Sequence, residues 1–345
     1  MADGTENAGR LTGGRISPLR KLTGVQILAT GSYVPDEVVR NEDLAHLGYD
    51  ADWILQRTGI RERRRAEPAI ATSDMALWAA KRAIARAAVP LEDIDLVIVA
   101  TFTPDEPVPA VACLLQDRLG LNAGAMDVQN ACSGFLYALV TGMQYVATGC
   151  SKVALVVGAD CNSRIVDPLD RKTYPLFGDG AGAVLLTRGT PEQGFLAYTL
   201  GADGSGAKLL YRPMGGSRML STPEGLAANL HYLRMDGRSV FKWAIRLLDE
   251  TIRGVTAHAG LGVQELDLVV LHQANIRILD AAAQSLGIDP AKMFVNLDRY
   301  GNTSAASVPL ALDEACDTDR LHRGDRVLIS GYGAGLAWGT GILHW

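Results

Sequence analysis

The sequence predicts an α/β protein built of two similar halves, on three observations. Short, continuously apolar runs rich in Val, Ile and Leu alternate with longer helical segments from Gly24 onward. Glycines and capping residues punctuate the boundaries between them, and the same alternation resumes after residue 235. Strands apolar at nearly every position belong in a sheet covered on both faces.

The elements follow in order. GVQILAT at 24–30 reads as a strand, and Thr72-Ser73-Asp74 opens a helix that runs to about Ala88. DLVIVAT at 95–101 is a strand, followed by a helix near 110–119, the short strand GAMDV at 124–128, and a helix from about Ser133 to Thr148 that Gly149 closes. KVALVVGAD at 152–160 is again a strand. The second half repeats the plan with a helix near 239–259, the strand LDLVVLH, helices from about Asn275 to Leu286 and from about Ser304 to Cys316, and the strand DRVLISGYG. Between the halves, 196–235 carries GADGSGAKLL and RPMGGSRM without a clear period, and loops at the edge of the core are expected there. The expected division is a flexible leader over 1–22, a first half over 23–195 and a second over 196–345.

Composition narrows the function classes. The 345 residues are 48% hydrophobic, enough for a large core. Thirty-three basic against 38 acidic residues give a net charge of −5, so whole-molecule charge offers no reason to expect nucleic acid, and an acidic partner would need a local basic patch. Five cysteines, at 113, 132, 150, 161 and 316, contain no C-x-x-C pair, which fits neither a disulfide framework nor a thiolate metal site. Reduced thiols in a cytoplasm are the simple reading. The first residues lack an apolar signal region, and no run of about 18 uncharged apolar residues occurs, so no membrane span is expected.

Three residues stand out as candidates for chemistry. Cys132 in DVQNACSGFLYAL follows a predicted strand and opens a helix, where free N–H groups and the helix dipole lower a thiol's pKa. A lone cysteine among small apolar residues is more often an inert core residue, but ligands in doubly wound sheets gather beyond the carboxyl ends of strands. His272 ends LDLVVLH and falls on the same rim, whereas His46, His231, His258, His322 and His344 are taken as locally satisfied. Asn302 occupies the Gly-flanked turn RYGNTSAAS, where a cap would be the ordinary role. Only the combination argues for a site.

Seven ordered motifs carry a resemblance: RTGIRER at 57–63, ACSGF at 131–135, DPLDR at 167–171, FGDGAGA at 177–183, HQANIRI at 272–278, GNTSAAS at 301–307 and GYGAGLAWG at 331–339. GDGAGA alone imitates a phosphate loop but leads into the strand AVLLT, not a helix. Together, over about residues 24–345, they make the chain resemble the thiolase-like condensing enzymes, and within them the ketoacyl-acyl-carrier-protein synthase III group. The resemblance implies a thiolase-like fold, a duplicated five-layer αβαβα architecture and a homodimer. It places the family's nucleophile, histidine and asparagine on Cys132, His272 and Asn302, the Cys-His-Asn pattern rather than the Cys-His-His of long-chain elongating enzymes.

The implied activity is decarboxylative Claisen condensation of an acyl-CoA primer with malonyl-acyl carrier protein, initiating fatty-acid synthesis in the cytoplasm with no metal or cofactor. Backbone N–H groups of Cys132 and Ala334 resemble the oxyanion hole for acyl transfer, and the His272 and Asn302 side chains resemble donors to the enolate. Trp53 and Arg171 match the adenine sandwich, and Arg57 and Asn275 match positions along the CoA arm. Arg277 is the expected carrier-protein contact, with the run Arg61 to Arg65 a second basic candidate. Val108 falls where family members place a bulky aromatic closing the partner's acyl pocket, Asn162 where an apolar pocket residue is usual, and Tyr332 in place of a Phe. Val108 and Asn162 keep one rival open, a priming enzyme or acyltransferase of specialised metabolism; a non-catalytic partner subunit is a further reading, against which the intact Cys132, His272 and Asn302 argue.

Overall fold

Residues 17–345 are described by a computed structural model. Two five-stranded sheets run through it with one plan used twice. In the first, the order is Val25–Tyr33, Gly180–Arg188, Val153–Asp160, Ile94–Ala100, Gly124–Val128. In the second it is Arg20–Thr23, Gly194–Ala202, Ala337–His344, Arg326–Gly333, Leu268–Leu271. Val25–Tyr33 corresponds to Gly194–Ala202 and the next three strands of each order correspond in turn, while the edge strands Gly124–Val128 and Arg20–Thr23 have no counterpart. The pairing sense agrees as well: Val153–Asp160 is antiparallel to Gly180–Arg188 and parallel to Ile94–Ala100, and Arg326–Gly333 is antiparallel to Ala337–His344 and parallel to Leu268–Leu271.

Period-two alternation sorts the strand side chains into layers. Leu96, Ile98, Ala154 and Val156 face a central layer made by the helices Gly134–Thr148 and Ser307–Asp317, which Leu268, Val270, Val327 and Ile329 meet from the second sheet. Val97, Val99, Leu155 and Val157 face outward onto the helices Thr72–Ala87 and Val111–Leu119. On the far side Val269, Leu271 and Leu328 pack on Gly237–Ala259 and Ile276–Leu286. The result is five layers, αβαβα, as the resemblance implies. The central layer is tight: a Cβ on Gly158 would stand 2.3 Å from the Ala305 carbonyl oxygen, so the strand approaches the turn closely only because that residue is glycine.

The helices begin and end within a few residues of where their caps place them, with Gly149 in the left-handed region (φ 77°) closing the central helix. Other expectations need correction. Residues 1–16 of the expected leader lie outside the described residues, and its remainder does not stay free: Arg20–Thr23 adds an edge strand to the second sheet. The segment 196–235 is not all loop, because Gly194–Ala202 is a strand between two partners, with a short antiparallel pair of two-residue strands, Leu210–Tyr211 and Arg234–Met235, beyond it. Its glycines hid it; Gly201 and Gly339 sit in paired strands where neighbouring side chains fill the space a Cβ would take. The run RERRR is only partly available as a basic patch, with Arg61 exposed and Arg64 and Arg65 half-buried. Strand alternation turns Arg63 fully inward, where it donates to Val39 O, Asn41 Oδ1 and Pro175 O at 2.7–3.0 Å, and burial lowers its pKa to about 10. Among the described residues no helix is long and apolar enough to cross a membrane.

Candidate active site

The two halves meet at the N-terminal ends of the central helices, and the candidate residues gather there. Beyond the strand Gly124–Val128 the chain makes a 3-10 turn, Ala131–Ser133, before the helix starts at Gly134. Ala131 takes φ 44°, a left-handed value that a residue with a Cβ adopts at a cost of about 1–3 kcal/mol and that surrounding structure must hold. The Ser133 hydroxyl holds it, donating to Asn130 O and accepting from Asn130 Nδ2. Cys132 sits on this turn, 5% exposed, with the Ser304 hydroxyl donating to its sulfur at 3.4 Å.

His272 extends the strand Leu268–Leu271 by one ladder bond, its N–H donating to Ser330 O at 2.7 Å. Its Nδ1 lies 2.6 Å from the Ser307 hydroxyl, which can accept or donate and so supports either tautomer. The ring stands edge-on to Tyr332, centroids 5.2 Å apart. Asn302 follows Gly301 (φ 64°) and is pinned by backbone bonds to Leu176 O and from Gly178 N. Its Oδ1 accepts from Ser304 N at 2.8 Å, which leaves the amide NH2 as the end free to donate.

Cys132, His272, Asn302 and Tyr332 line one cavity of about 660 Å³, and so do Trp53, Arg57, Arg171 and Asn275. The reacting group lies deep and Trp53, 38% exposed, stands at the outer end. Asp50 caps the helix Ala51–Thr58 that carries Trp53 and Arg57, and Asn275 caps the helix Ile276–Leu286 while its Nδ2 donates to Arg57 O. Arg171 donates to Gly48 O, and between Arg171 and Trp53 lies the ring of Tyr49. Arg57, Arg171, Lys172 and Arg238 line the cavity against one carboxylate, Asp236, a balance suited to an anionic ligand.

Electrostatics at the inner end follow from burial. It pushes the Cys132 thiol up to about 12, with Asp160 adding to the rise and the Ser304 hydroxyl opposing it. The lowered thiol pKa expected from the helix N-terminus is therefore overturned, because desolvation outweighs the dipole. Burial pushes the His272 imidazole down to about 3, so it is neutral at physiological pH. Asp160, raised to about 6 chiefly by burial, accepts from Thr101, Phe102, Thr103 and Ala305 and so ties the 304–306 turn to the first sheet.

Four expected residues are not in the cavity wall. Ala334 is half-buried beside it and packs toward Ile165 and Phe177, while the neighbouring Gly333 is the lining residue; a Cβ there would come within 3.2 Å of the Cys132 sulfur. Asn162 is fully buried outside the wall, its Nδ2 donating to Gly178 O at 2.7 Å and its Oδ1 without a partner among the described residues. Val108 is 80% exposed and so does not close the cavity of its own chain. Arg277 is exposed, its guanidinium 5.6 Å from the ring of Phe241, which lines the cavity. Sequence reasoning missed Ser304 and Ser307, although both lie inside GNTSAAS, and Tyr49, for which no motif gave a signal.

Comparison with known proteins joins this geometry to a family. Residues 126–204 match the family model for 3-oxoacyl-[acyl-carrier-protein (ACP)] synthase III, and residues 256–345 match the model for its C-terminal part. The beta-ketoacyl-[acyl-carrier-protein] synthase III of Rhodopirellula baltica is 54% identical over 342 residues, covering 94% of this chain and 99% of its own. The crystal structure of the Thermus thermophilus enzyme of that name superposes with a TM-score of 0.86 at 44% identity, over 93% of this chain and 99% of the other. The priming beta-ketosynthase of the R1128 polyketide pathway gives the same TM-score at 34% identity, over 96% and 98%. Identity on this scale over nearly the full length of both chains places the protein plainly: it belongs to the 3-oxoacyl-[acyl-carrier-protein] synthase III family.

Proposed function

We propose that the chain is a working beta-ketoacyl-[acyl-carrier-protein] synthase III, which condenses an acyl-CoA primer with malonyl-acyl carrier protein to start fatty-acid synthesis. The observation that supports it best is that Cys132, His272 and Asn302 line the inner end of the same cavity whose outer end carries Trp53, Arg57 and Arg171.

In the first half-reaction the Cys132 sulfur attacks the acyl-CoA carbonyl, CoA is expelled, and the proton that Cys132 gives up leaves on the CoA thiol. The family resemblance assigns the oxyanion to the Cys132 and Ala334 N–H groups, Ala334 lying just behind the lining residue Gly333. In the second, the malonyl thioester loses CO2, and the enolate carbon attacks the acyl-Cys132 carbonyl. The 3-oxoacyl thioester departs on the carrier protein, and Cys132 leaves as thiolate and regains a proton. A neutral imidazole at His272 and the free NH2 of Asn302 suit the enolate oxygen, because both donate without placing an ionised acid in a desolvated pocket.

The basic mouth fits CoA phosphates, and Arg277 beside it fits an acidic carrier protein. The reading takes the enzyme to be a cytoplasmic homodimer, consistent with five free cysteines and with Val108 presented outward to a partner chain. Likeness to the R1128 priming ketosynthase favours a second reading, in which the same steps prime a specialised pathway.

Intact-protein mass spectrometry tests the proposal. A panel of acyl-CoAs should load one acyl group onto the wild type and none onto Cys132→Ala, and malonyl-carrier protein should then discharge it as a 3-oxoacyl product. Acylation that malonyl-carrier protein leaves in place would replace condensation by plain acyl transfer.

A further inference from the structure

The cavity mouth already holds a ring. Tyr49 lies parallel to the Trp53 indole, centroids 3.9 Å apart and planes 9° off, and the Arg171 guanidinium carbon is 4.0 Å from its other face. Both spacings are contact distances, so the slot between the indole and the guanidinium accepts one aromatic thickness and Tyr49 fills it.

Tyr49 is weakly tethered. It follows Gly48, the left-handed cap (φ 71°) of the turn Glu42–Leu47, and precedes Asp50, the cap of the helix Ala51–Thr58, so it belongs to neither element. No hydrogen bond among the described residues holds its backbone or hydroxyl. Its ring is only partly buried, against the small cluster of Leu44, Leu47 and Ile54.

We propose that Tyr49 is an internal occupant of the Trp53–Arg171 slot that the adenine of a CoA thioester must displace, so that it disfavours nucleotide-borne thioesters relative to carrier-borne ones. This rests on the reading above, in which one mouth admits acyl-CoA first and a carrier-protein thioester second. A phosphopantetheine arm attached to a protein carries no adenine and passes with Tyr49 in place. After CoA is released Tyr49 returns to the slot, and free CoA then competes less well with the second substrate.

Calorimetric titration of adenosine 3′,5′-bisphosphate, with phosphopantetheine as the control ligand, tests this on the full chain. Tyr49→Ala should bind the nucleotide roughly fivefold tighter than wild type, as removal of one stacked competitor requires, and Tyr49→Phe, which keeps the ring, should match wild type. Tyr49→Leu keeps an apolar filler against Leu44 and Leu47 and should repeat the gain if the alanine variant folds poorly. Unchanged or weaker nucleotide binding in the alanine and leucine variants would overturn the proposal, weaker binding making Tyr49 a stacking partner of the adenine. An equal gain for phosphopantetheine would also overturn it, since Tyr49 would then only narrow the mouth. The titration needs no turnover, so its failure is distinct from a failure of Cys132 to be acylated.

Discussion

Two effects of opposite sign act on the Cys132 thiol. The helix N-terminus and the Ser304 hydroxyl lower its pKa, and burial, with Asp160 adding to it, raises it to about 12. The thiolate is the scarce form across the physiological range, and its share should rise about tenfold per pH unit between pH 7 and 10. Iodoacetamide labelling, followed at the Cys132 peptide, should therefore climb log-linearly with no plateau in that window; a plateau below pH 9 would mean that the thiolate is already formed. The identity of the reacting residues was legible in the sequence because each lies beside a strand end or turn. Their protonation was not, because the groups that bury Cys132 come from 170 or more residues further along the chain.

At the scale of elements, the strand Arg326–Gly333 ends so close to the nucleophile's turn that Gly333 leaves no space for a methyl group. A Cβ there would stand 2.8 Å from the Cys132 Cβ and 3.2 Å from its sulfur. Gly333→Ala should displace either the thiol or the strand end, and a shift of about 1 Å slows a positioned reaction on the order of 100-fold. Single-turnover acylation read by mass spectrometry would register that loss, and an unchanged rate would mean that the strand end gives way freely. Caps made the helices legible: Asn275 before Ile276–Leu286 and Gly149 after Gly134–Thr148 are local signals. The strands Gly194–Ala202 and Ala337–His344 were harder, since their glycines serve neighbours across the sheet and imitate loop composition.

For the whole molecule, the halves are clasped as well as packed. Asp313, buried on a central helix of the second half, accepts from Thr30, Ser32 and Arg86 of the first. That clasp joins residues more than 200 positions apart, and no local pattern announces it. The repeated order of elements did announce the duplicated plan. At the same scale, Val108 is exposed, and in the proposed homodimer it would face the partner's pocket. Val108→Arg would put a charge into an apolar contact, and sedimentation velocity should find the dimer weakened at least roughly tenfold, equivalent to about 1.4 kcal/mol. A dimer of undiminished strength would remove Val108 from the interface.

The left-handed residues Ala131 and Ser304 open matching constructions: each begins a three-residue 3-10 turn, Ala131–Ser133 and Ser304–Ala306, that runs straight into a central helix. Their correspondence extends the repeated plan of the two sheets down to single residues. Aligned on that opening, the position of Cys132 in one copy is held by Ala305 in the other. One turn therefore presents the thiol to the cavity, and its counterpart, with no thiol to present, serves as the support beside it, its Ser304 reaching the Cys132 sulfur and holding the Asn302 side chain.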